Sequence, residues 1–276
     1  MTTQIPQKSR LELEGKTALV VGGGQTPGTT VGNGRATALL FGREGARVVV
    51  ADRELARAEE TAAQIRDAGG EAWATAADIT DEATITAMVA FTVDVLGGID
   101  ILHNNVGVSL AGGDRIIDDI EFDAFEKVTR INLTGMVITC KHVLPIMRAA
   151  GGGAITSVGS LASQIDYPYI AYKTSKAGVV ALTENIAIRH AAHGIRANAI
   201  LPGLMETPMA IENRIGLNGW SRADVIAERD SHVPLRGRQG TGWDVAEAAV
   251  FLNSDRARFI TGISVAIDGG QSLRVG

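Results

Sequence analysis

The chain is nearly free of cysteine and poor in aromatic residues. Cys140 is its one cysteine, and Phe, Trp and Tyr together make up 4% of its 276 residues. A single thiol excludes an intrachain disulfide and fits a reducing compartment. Neither sign of charge dominates. The 26 Lys and Arg stand against 31 Asp and Glu, a formal net charge of -5, so no basic field invites nucleic acid or an anionic membrane surface. No apolar run approaches the ~20 residues of a membrane span. The opening MTTQIPQKSR lacks the apolar stretch of a signal peptide, and residues 1–13 read as a polar tail. These absences predict a cytoplasmic protein that binds no membrane. The five histidines have no metal-ligand spacing with a cysteine or carboxylate, so no metal is expected.

What is present is alternation. The chain is 45% hydrophobic and carries 33 glycines, enough for a sizeable core with close helix–sheet packing. Apolar runs at Thr17–Gly22, Arg47–Ala51, Ala72–Ala76, Ile99–Leu102, Ala154–Val158, Arg196–Ile200 and Ser264–Ile267 read as strands. Their near-continuous apolar character predicts strands covered on both faces. Helical stretches fall between them, at about 34–44, 54–68, 81–96, 121–149, 171–193 and 244–253. The pattern predicts an α/β fold: a doubly wound, mainly parallel seven-stranded sheet with helices on both faces, in one domain from 14 to 276. The stretch from about 205 to 234 breaks the alternation after a strand end. Ligands in this architecture bind beyond the carboxyl ends of the strands, so this stretch is expected to be a lid.

The first strand runs into GGGQTPGTTVGNG (22–34), and a helix follows. Such a turn suits a pyrophosphate, because backbone N–H groups and the helix dipole face the anion and glycines admit it closely. The second strand ends at Asp52. A carboxylate there accepts hydrogen bonds from the ribose hydroxyls of NAD and repels the extra phosphate of NADP. Arg53 argues the other way, so NAD is favoured and NADP is the less favoured alternative. Further along, Tyr172 and Lys176 stand four apart in AYKTSK (171–176), on one face of a helix. A phenol near pKa ~10 is a poor base at neutral pH. A neighbouring ammonium is expected to lower that pKa toward the range of proton transfer.

Together these motifs resemble those of the short-chain dehydrogenase/reductases of the short, single-domain kind, whose fold is Rossmann-type. The resemblance runs from about Leu13 to Gly270. NNVG (104–107) resembles the family's Asn-Asn-Ala-Gly motif and brings Asn105, Val106 and Gly107 to the cofactor. Asp78, followed by Ile79, resembles the adenine contact. Pro202, Gly203, Met205 and Thr207 resemble the segment that holds the nicotinamide carboxamide. Ser160 stands where the family has its catalytic serine, with Gly159 in place of a preceding serine. Asn132, in RINLTG, resembles the asparagine that completes the site.

The resemblance implies hydride transfer between a carbinol carbon and the nicotinamide. Tyr172 would act as base. Lys176 would tune that base and bind the nicotinamide ribose. Ser160 would bind the substrate oxygen, and Asn132 would relay protons from Lys176 through a water. It also implies a homotetramer built on the helices near 121–149 and 171–193.

The glycine loop departs from the family pattern. Val21 stands where a threonine is usual, Asn33 replaces an apolar residue, and the loop is about six residues too long, a cheap insertion by loop entropy. Two registers are open. In the preferred one Gly22 makes the first turn, 25–31 is looped out, and Gly32, Asn33 and Gly34 open the helix. In the other, Gly28, Gly32 and Gly34 carry the spacing. Thr26, Thr29 or Thr30 is expected to add a cofactor contact, with a tolerated surface insertion as the alternative.

The substrate pocket is expected from Ser109, Gln164 and Tyr169, and from Met209 and Trp220 in the lid. It would suit a mainly apolar secondary alcohol or ketone, cyclic and aromatic ones included. No arginine cluster for a carboxylate or phosphate is evident, with Arg214 and Arg222 unassigned. The rival readings are an NADPH-dependent carbonyl or 3-oxoacyl-carrier-protein reductase and a non-catalytic NAD-binding regulatory protein.

Overall fold

A computed structural model describes residues 11–274. Most of the expected tail, residues 1–10, lies outside the described residues. Leu13 does not belong to that tail: it is fully buried in the core, and its N–H donates to Glu44 O at 2.9 Å.

Seven parallel strands form one sheet in the order β3-β2-β1-β4-β5-β6-β7. They are β1 (Thr17–Val21), β2 (Arg47–Asp52), β3 (Glu71–Ala76), β4 (Ile101–Asn104), β5 (Gly153–Val158), β6 (Ile195–Pro202) and β7 (Ser264–Ile267). The helices are α1 (Asn33–Arg43), α2 (Leu55–Asp67), α3 (Glu82–Leu96), α4 (Phe122–Thr129), α5 (Gly135–Ala150), α6 (Ile170–His190), α7 (Pro208–Ile211), α8 (Arg222–Ser231) and α9 (Gly242–Asn253). Every strand expected from the apolar runs is present, within two residues at each end.

Alternate residues of a strand face opposite sides of a sheet, and β1 shows what that does here. Ala18 and Val20 join a core layer with Phe41 of α1, Ile65 of α2 and Ala249 of α9. Leu19 and Val21 join a second layer with Ile85 and Met88 of α3 and Met147 of α5. Both faces of the strand are therefore buried, and the run reads as continuously apolar. Polar signals set the helix starts. Asp81 accepts the Ala83 N–H at the start of α3, and Ser221 with Asp224 and Thr241 with Asp244 form capping boxes on α8 and α9.

Strand order reverses between β1 and β4, the position at which doubly wound sheets open a crevice beyond their carboxyl ends. Two local features shape that crevice. The expected helix 121–149 is broken by a single π-helical turn, Arg130–Thr134, which joins α4 to α5. The non-alternating stretch after β6 folds into α7 and α8, two short helices that the strand–helix pattern did not resolve.

Candidate active site

One cleft of about 680 Å³ runs along the carboxyl ends of the strands, from Asp52 and Asp78 to Tyr172 and the α7–α8 segment. Its first wall is the glycine loop. Gly22 leaves β1 at φ +83°, and its N–H donates to Ala51 O at 2.8 Å. A Cβ on Gly34 would lie 2.0 Å from Gly22 O. Asn105 Nδ2 donates to that same carbonyl at 2.9 Å. Gly22 therefore makes the first turn and Gly32 precedes α1, the preferred register.

The extra residues curl toward the far side of the cleft. Gln25 Oε1 accepts the Gly32 N–H at 3.0 Å, and Thr26 lines the cleft. Gly28 packs against α7, where a Cβ would meet Pro208 at 2.9 Å. Thr29 and Thr30 do not line the cleft, and the Thr30 hydroxyl is buried without a partner.

Asp52 ends β2 and Asp78 follows β3, both at one end of the cleft. Asp52 Oδ1 accepts the Glu54 N–H at 3.1 Å. Asp78 accepts the Thr80 N–H at 2.8 Å and its hydroxyl at 2.7 Å, and these bonds hold its carboxyl below the usual range. Arg53 and Arg57 line the same end. All the residues expected at the cofactor line this cleft, including Ile79, Val106, Gly107, Pro202, Gly203, Met205 and Thr207.

At the other end α6 presents Tyr172 and Lys176. Lys176 is 2% exposed. Its Nζ donates to Val158 O at 2.7 Å and lies 5.8 Å from the centre of the Tyr172 ring. Burial pulls its pKa down to about 7. Loss of solvent pushes the Tyr172 phenol up to about 12, outweighing the favourable effect of the neighbouring Ser160 hydroxyl. The expected lowering of this pKa by Lys176 is thus reversed. A lysine so deeply buried is itself close to neutral, and the dry wall of the cleft penalises the phenolate more than its neighbours favour it.

Asn132 sits in the π-helical turn, fully buried and behind the cleft wall. Its side chain accepts from Val108 N at 2.8 Å and donates to Val108 O at 2.9 Å and Ser175 Oγ at 3.0 Å. Both its N–H donors are therefore spent on protein.

The expected substrate contacts divide. Ser109 and Met209 line the cleft; Gln164, Tyr169 and Trp220 do not. Gln164 faces solvent, Trp220 is on the outer side of the α7–α8 segment with 36% exposure, and Tyr169 packs on Tyr167 instead. Tyr167 is the aromatic residue that reaches the site, its ring 5.5 Å from that of Tyr172. The absence of an arginine cluster is also corrected: Arg214 and Arg229 both line the Tyr172 end. Arg222 does not join them, being paired with Glu212 and Glu206.

Sequence reasoning also passed over Asp114, which is fully buried. It accepts the N–H groups of Ala171 at 3.0 Å and Tyr172 at 2.9 Å, and the Ser109 hydroxyl at 3.3 Å. The only signal was an acid in a loop of small residues.

A family model described as enoyl-(acyl carrier protein) reductase matches residues 28–272. The cis-4-hydroxycyclohexanecarboxylate dehydrogenase of Sinomonas cyclohexanicum is 37% identical over 244 residues, 88% of this chain and 93% of that protein. The crystal structure of levodione reductase superposes with a TM-score of 0.89 at 32% identity, covering 95% of this chain and 100% of that one. The chain belongs to the short-chain dehydrogenase/reductase family. A 7α-hydroxysteroid dehydrogenase solved with NADH and 7-oxo glycochenodeoxycholic acid has the same fold, with a TM-score of 0.83 at 31% identity, over 94% of this chain and 95% of that one.

As a short-chain dehydrogenase/reductase, the protein is an NAD(P)-dependent oxidoreductase that interconverts secondary alcohols and ketones. The cradle fits such a cofactor on its own geometry, since Gly22 and Gly34 meet where no side chain has room and the start of α1 opens onto the cleft. Other groups with reactive side chains stay outside the site of this dehydrogenase. His103 is buried against Thr156 at 2.8 Å, its pKa pushed down to about 3 by burial. Cys140 is buried, its thiol pushed up to about 12. His232 is exposed on Glu228. Among the described residues no three His, Cys, Asp or Glu side chains gather as a metal site, and no helix is long and apolar enough to cross a membrane.

Proposed function

We propose that the protein is an NAD-dependent dehydrogenase of ring-bearing secondary alcohols, with Tyr172 as the group that exchanges the hydroxyl proton. The observation that carries this reading is that Ser160, Tyr172 and Lys176 line the same cleft as the glycine loop and Asp52. The glycine loop from Gly22 to Gly34 would hold the pyrophosphate, Asp52 the adenosine ribose, Asp78 and Ile79 the adenine, and Thr207 and Lys176 the nicotinamide riboside. When bound, the nicotinamide supplies the hydride acceptor or donor.

The chain's own groups handle the oxygen and its proton. Ser160 donates a hydrogen bond to the substrate oxygen and stabilises its developing negative charge. Tyr172 Oη gives its proton to that oxygen when a ketone is reduced and takes it back when an alcohol is oxidised. Burial favours the protonated phenol, the form that donates when a ketone is reduced. Lys176, its Nζ 5.8 Å from the centre of the ring, would take part in that proton exchange. Asn132 holds the Val108 backbone and Ser175 in register. The α7–α8 segment acts as the lid.

Ring-bearing substrates are favoured because the hydroxycyclohexanecarboxylate and oxo bile acid named for the relatives are both cyclic. The NADP alternative keeps one observation in its favour, since Arg53 and Arg57 line the adenosine end. Assembly as a homotetramer is supported by apolar side chains left in solvent on the helices expected to pack across subunits, Ile188 at 76% and Val137 at 42% exposure.

A panel of cyclic secondary alcohols followed at the NADH absorbance, with NAD and NADP in parallel, tests this reading. NAD-linked turnover is expected from the wild type. Tyr172→Phe is expected to lose about 10²–10⁴-fold in kcat while still binding NAD. Retained turnover in that variant would refute the role given to Tyr172.

A further inference from the structure

Two arginines stand at the substrate end of the cleft without a carboxylate partner. Arg229, on α8, is 7% exposed, and Arg214 is half-buried just after α7. Both line the cleft beside Tyr167 and Tyr172, and both act electrostatically on the Tyr172 phenol. Among the described residues no Asp or Glu oxygen lies within salt-bridge distance of either guanidinium. The acids that flank Arg229 in the chain are turned elsewhere, Glu228 to His232 and Asp230 to Gln239.

Buried cations are ordinarily paired, because an unpaired charge out of water is costly. Here the buried Arg229 has a second, half-buried arginine near it, and Arg214 raises the cost of its charge. A guanidinium carries five N–H donors. Arg214 spends one, on Ala210 O at 2.8 Å. Arg229 spends Nε on Gln239 at 2.5 Å and one Nη2 donor on Met205 O at 3.2 Å. Donors are left over on both, and the cleft is what they border. Neither arginine belongs to the phosphate end, where the glycine loop, Arg53 and Arg57 lie with Asp52 and Asp78.

We propose that the substrate carries a carboxylate and that Arg214 and Arg229 bind it while its carbinol carbon sits at Ser160 and Tyr172. This rests on the dehydrogenase reading and narrows it to hydroxy and oxo acids on an apolar ring frame. A planar, charge-matched fork suits a carboxylate, which accepts from two N–H donors at once. The bound anion also supplies the missing counter-charge.

The test uses matched pairs on the intact enzyme with NADH. 3- and 4-Oxocyclohexanecarboxylate are compared with the corresponding carboxamides and with a panel of neutral cyclic ketones. Binding of cyclohexanecarboxylate and cyclohexanecarboxamide is measured by calorimetry. A kcat/KM at least tenfold higher for a carboxylate than for its carboxamide is expected, with tighter binding of the acid. That ratio should fall toward one in Arg214→Gln and in Arg229→Gln, and recover in part in Arg229→Lys.

If neutral ketones are reduced as well as the acids, or if both glutamine variants keep the preference, the carboxylate assignment is wrong and the dehydrogenase reading stands. Weakened NADH affinity with an unchanged preference would place the arginines on the cofactor and overturn the assignment too. Failure to reduce any ketone in the panel overturns the dehydrogenase reading itself, and the assignment with it.

Discussion

The carboxylate of Asp114 receives the backbone N–H of Tyr172 at 2.9 Å and that of Ala171 at 3.0 Å. A buried acid from a distant loop thus caps the helix that carries Tyr172, and its charge complements the positive end of the helix dipole. The same side chain holds the Ser109 hydroxyl, so one group fixes a cleft residue and the helix start together. Replacing Asp114 by Ala is expected to cost about 1–3 kcal/mol of stability, because the two N–H groups are left buried without partners. Turnover should fall more than NAD affinity, since Tyr172 shifts while the glycine loop is untouched. Thermal melting and a split of kcat from the cofactor Kd check this. Asp114→Asn, which keeps one acceptor oxygen, should recover part of both.

Lys176 gives a pH signature. The folded chain releases its proton near pH 7, the unfolded chain only in the ordinary lysine range near 10.5. Between those values the unfolded chain binds the extra proton, so raising the pH stabilises the fold. Below about pH 7 both states are protonated and the slope vanishes. In Lys176→Met the fold should be no less stable than wild type at pH 7, because an apolar isostere replaces a desolvated charge. The rise in Tm between pH 7 and 10 should flatten relative to wild type, and turnover should be lost. A wild-type-like slope in the variant would show that Lys176 is charged in the folded state at neutral pH.

Asp52 sets cofactor choice in the proposed function. Asp52→Ser removes the negative charge and leaves Arg53 and Arg57 at that end of the cleft. The NADP-to-NAD ratio of kcat/KM is expected to rise at least tenfold. An unchanged ratio would move the discrimination elsewhere.

The lengthened loop has two contacts that separate experimentally. Deleting residues 25–30 removes the Gln25 bond to Gly32 and the Thr26 wall, and should raise the Kd for NAD. Gly28→Val leaves those in place but forces Pro208 away from the loop. It should raise the KM of the alcohol with little change in NAD affinity. A deletion with wild-type affinity for NAD would make the loop a tolerated insertion.

Much of this was legible in the residues, for identifiable reasons. The parallel sheet showed because strands such as Val48–Ala51 are covered on both faces and must be apolar throughout. The glycine wall of the cleft showed because a close backbone approach demands glycine at 22 and 34. The substrate end was not legible. Tyr167 and Tyr169 are two residues apart in an irregular loop, and which ring turns inward depends on Tyr172 beneath them. Arg229 reads as one more charge on the polar helix α8; its burial follows from the packing of α8 on Met205 and Gln239. The direction of the Tyr172 pKa shift was misjudged for a related cause. Spacing put an ammonium near a phenol, but solvent exclusion acts on both groups and weakens the ammonium as a partner.

The π-helical turn at Arg130–Thr134 has a consequence for where this chain can change length. A π turn holds one residue more than the surrounding α-helix, and each residue advances an α-helix by about 100°. Deleting one residue there would let α4 and α5 fuse into a regular helix and would swing Asn132 away from Val108 and Ser175. The glycine loop absorbs several extra residues without disturbing Gly22 or Gly34. At this turn helical phase matters more than chain length, so a single-residue deletion at 130–134 is expected to disturb the site more than the extra residues of the glycine loop do.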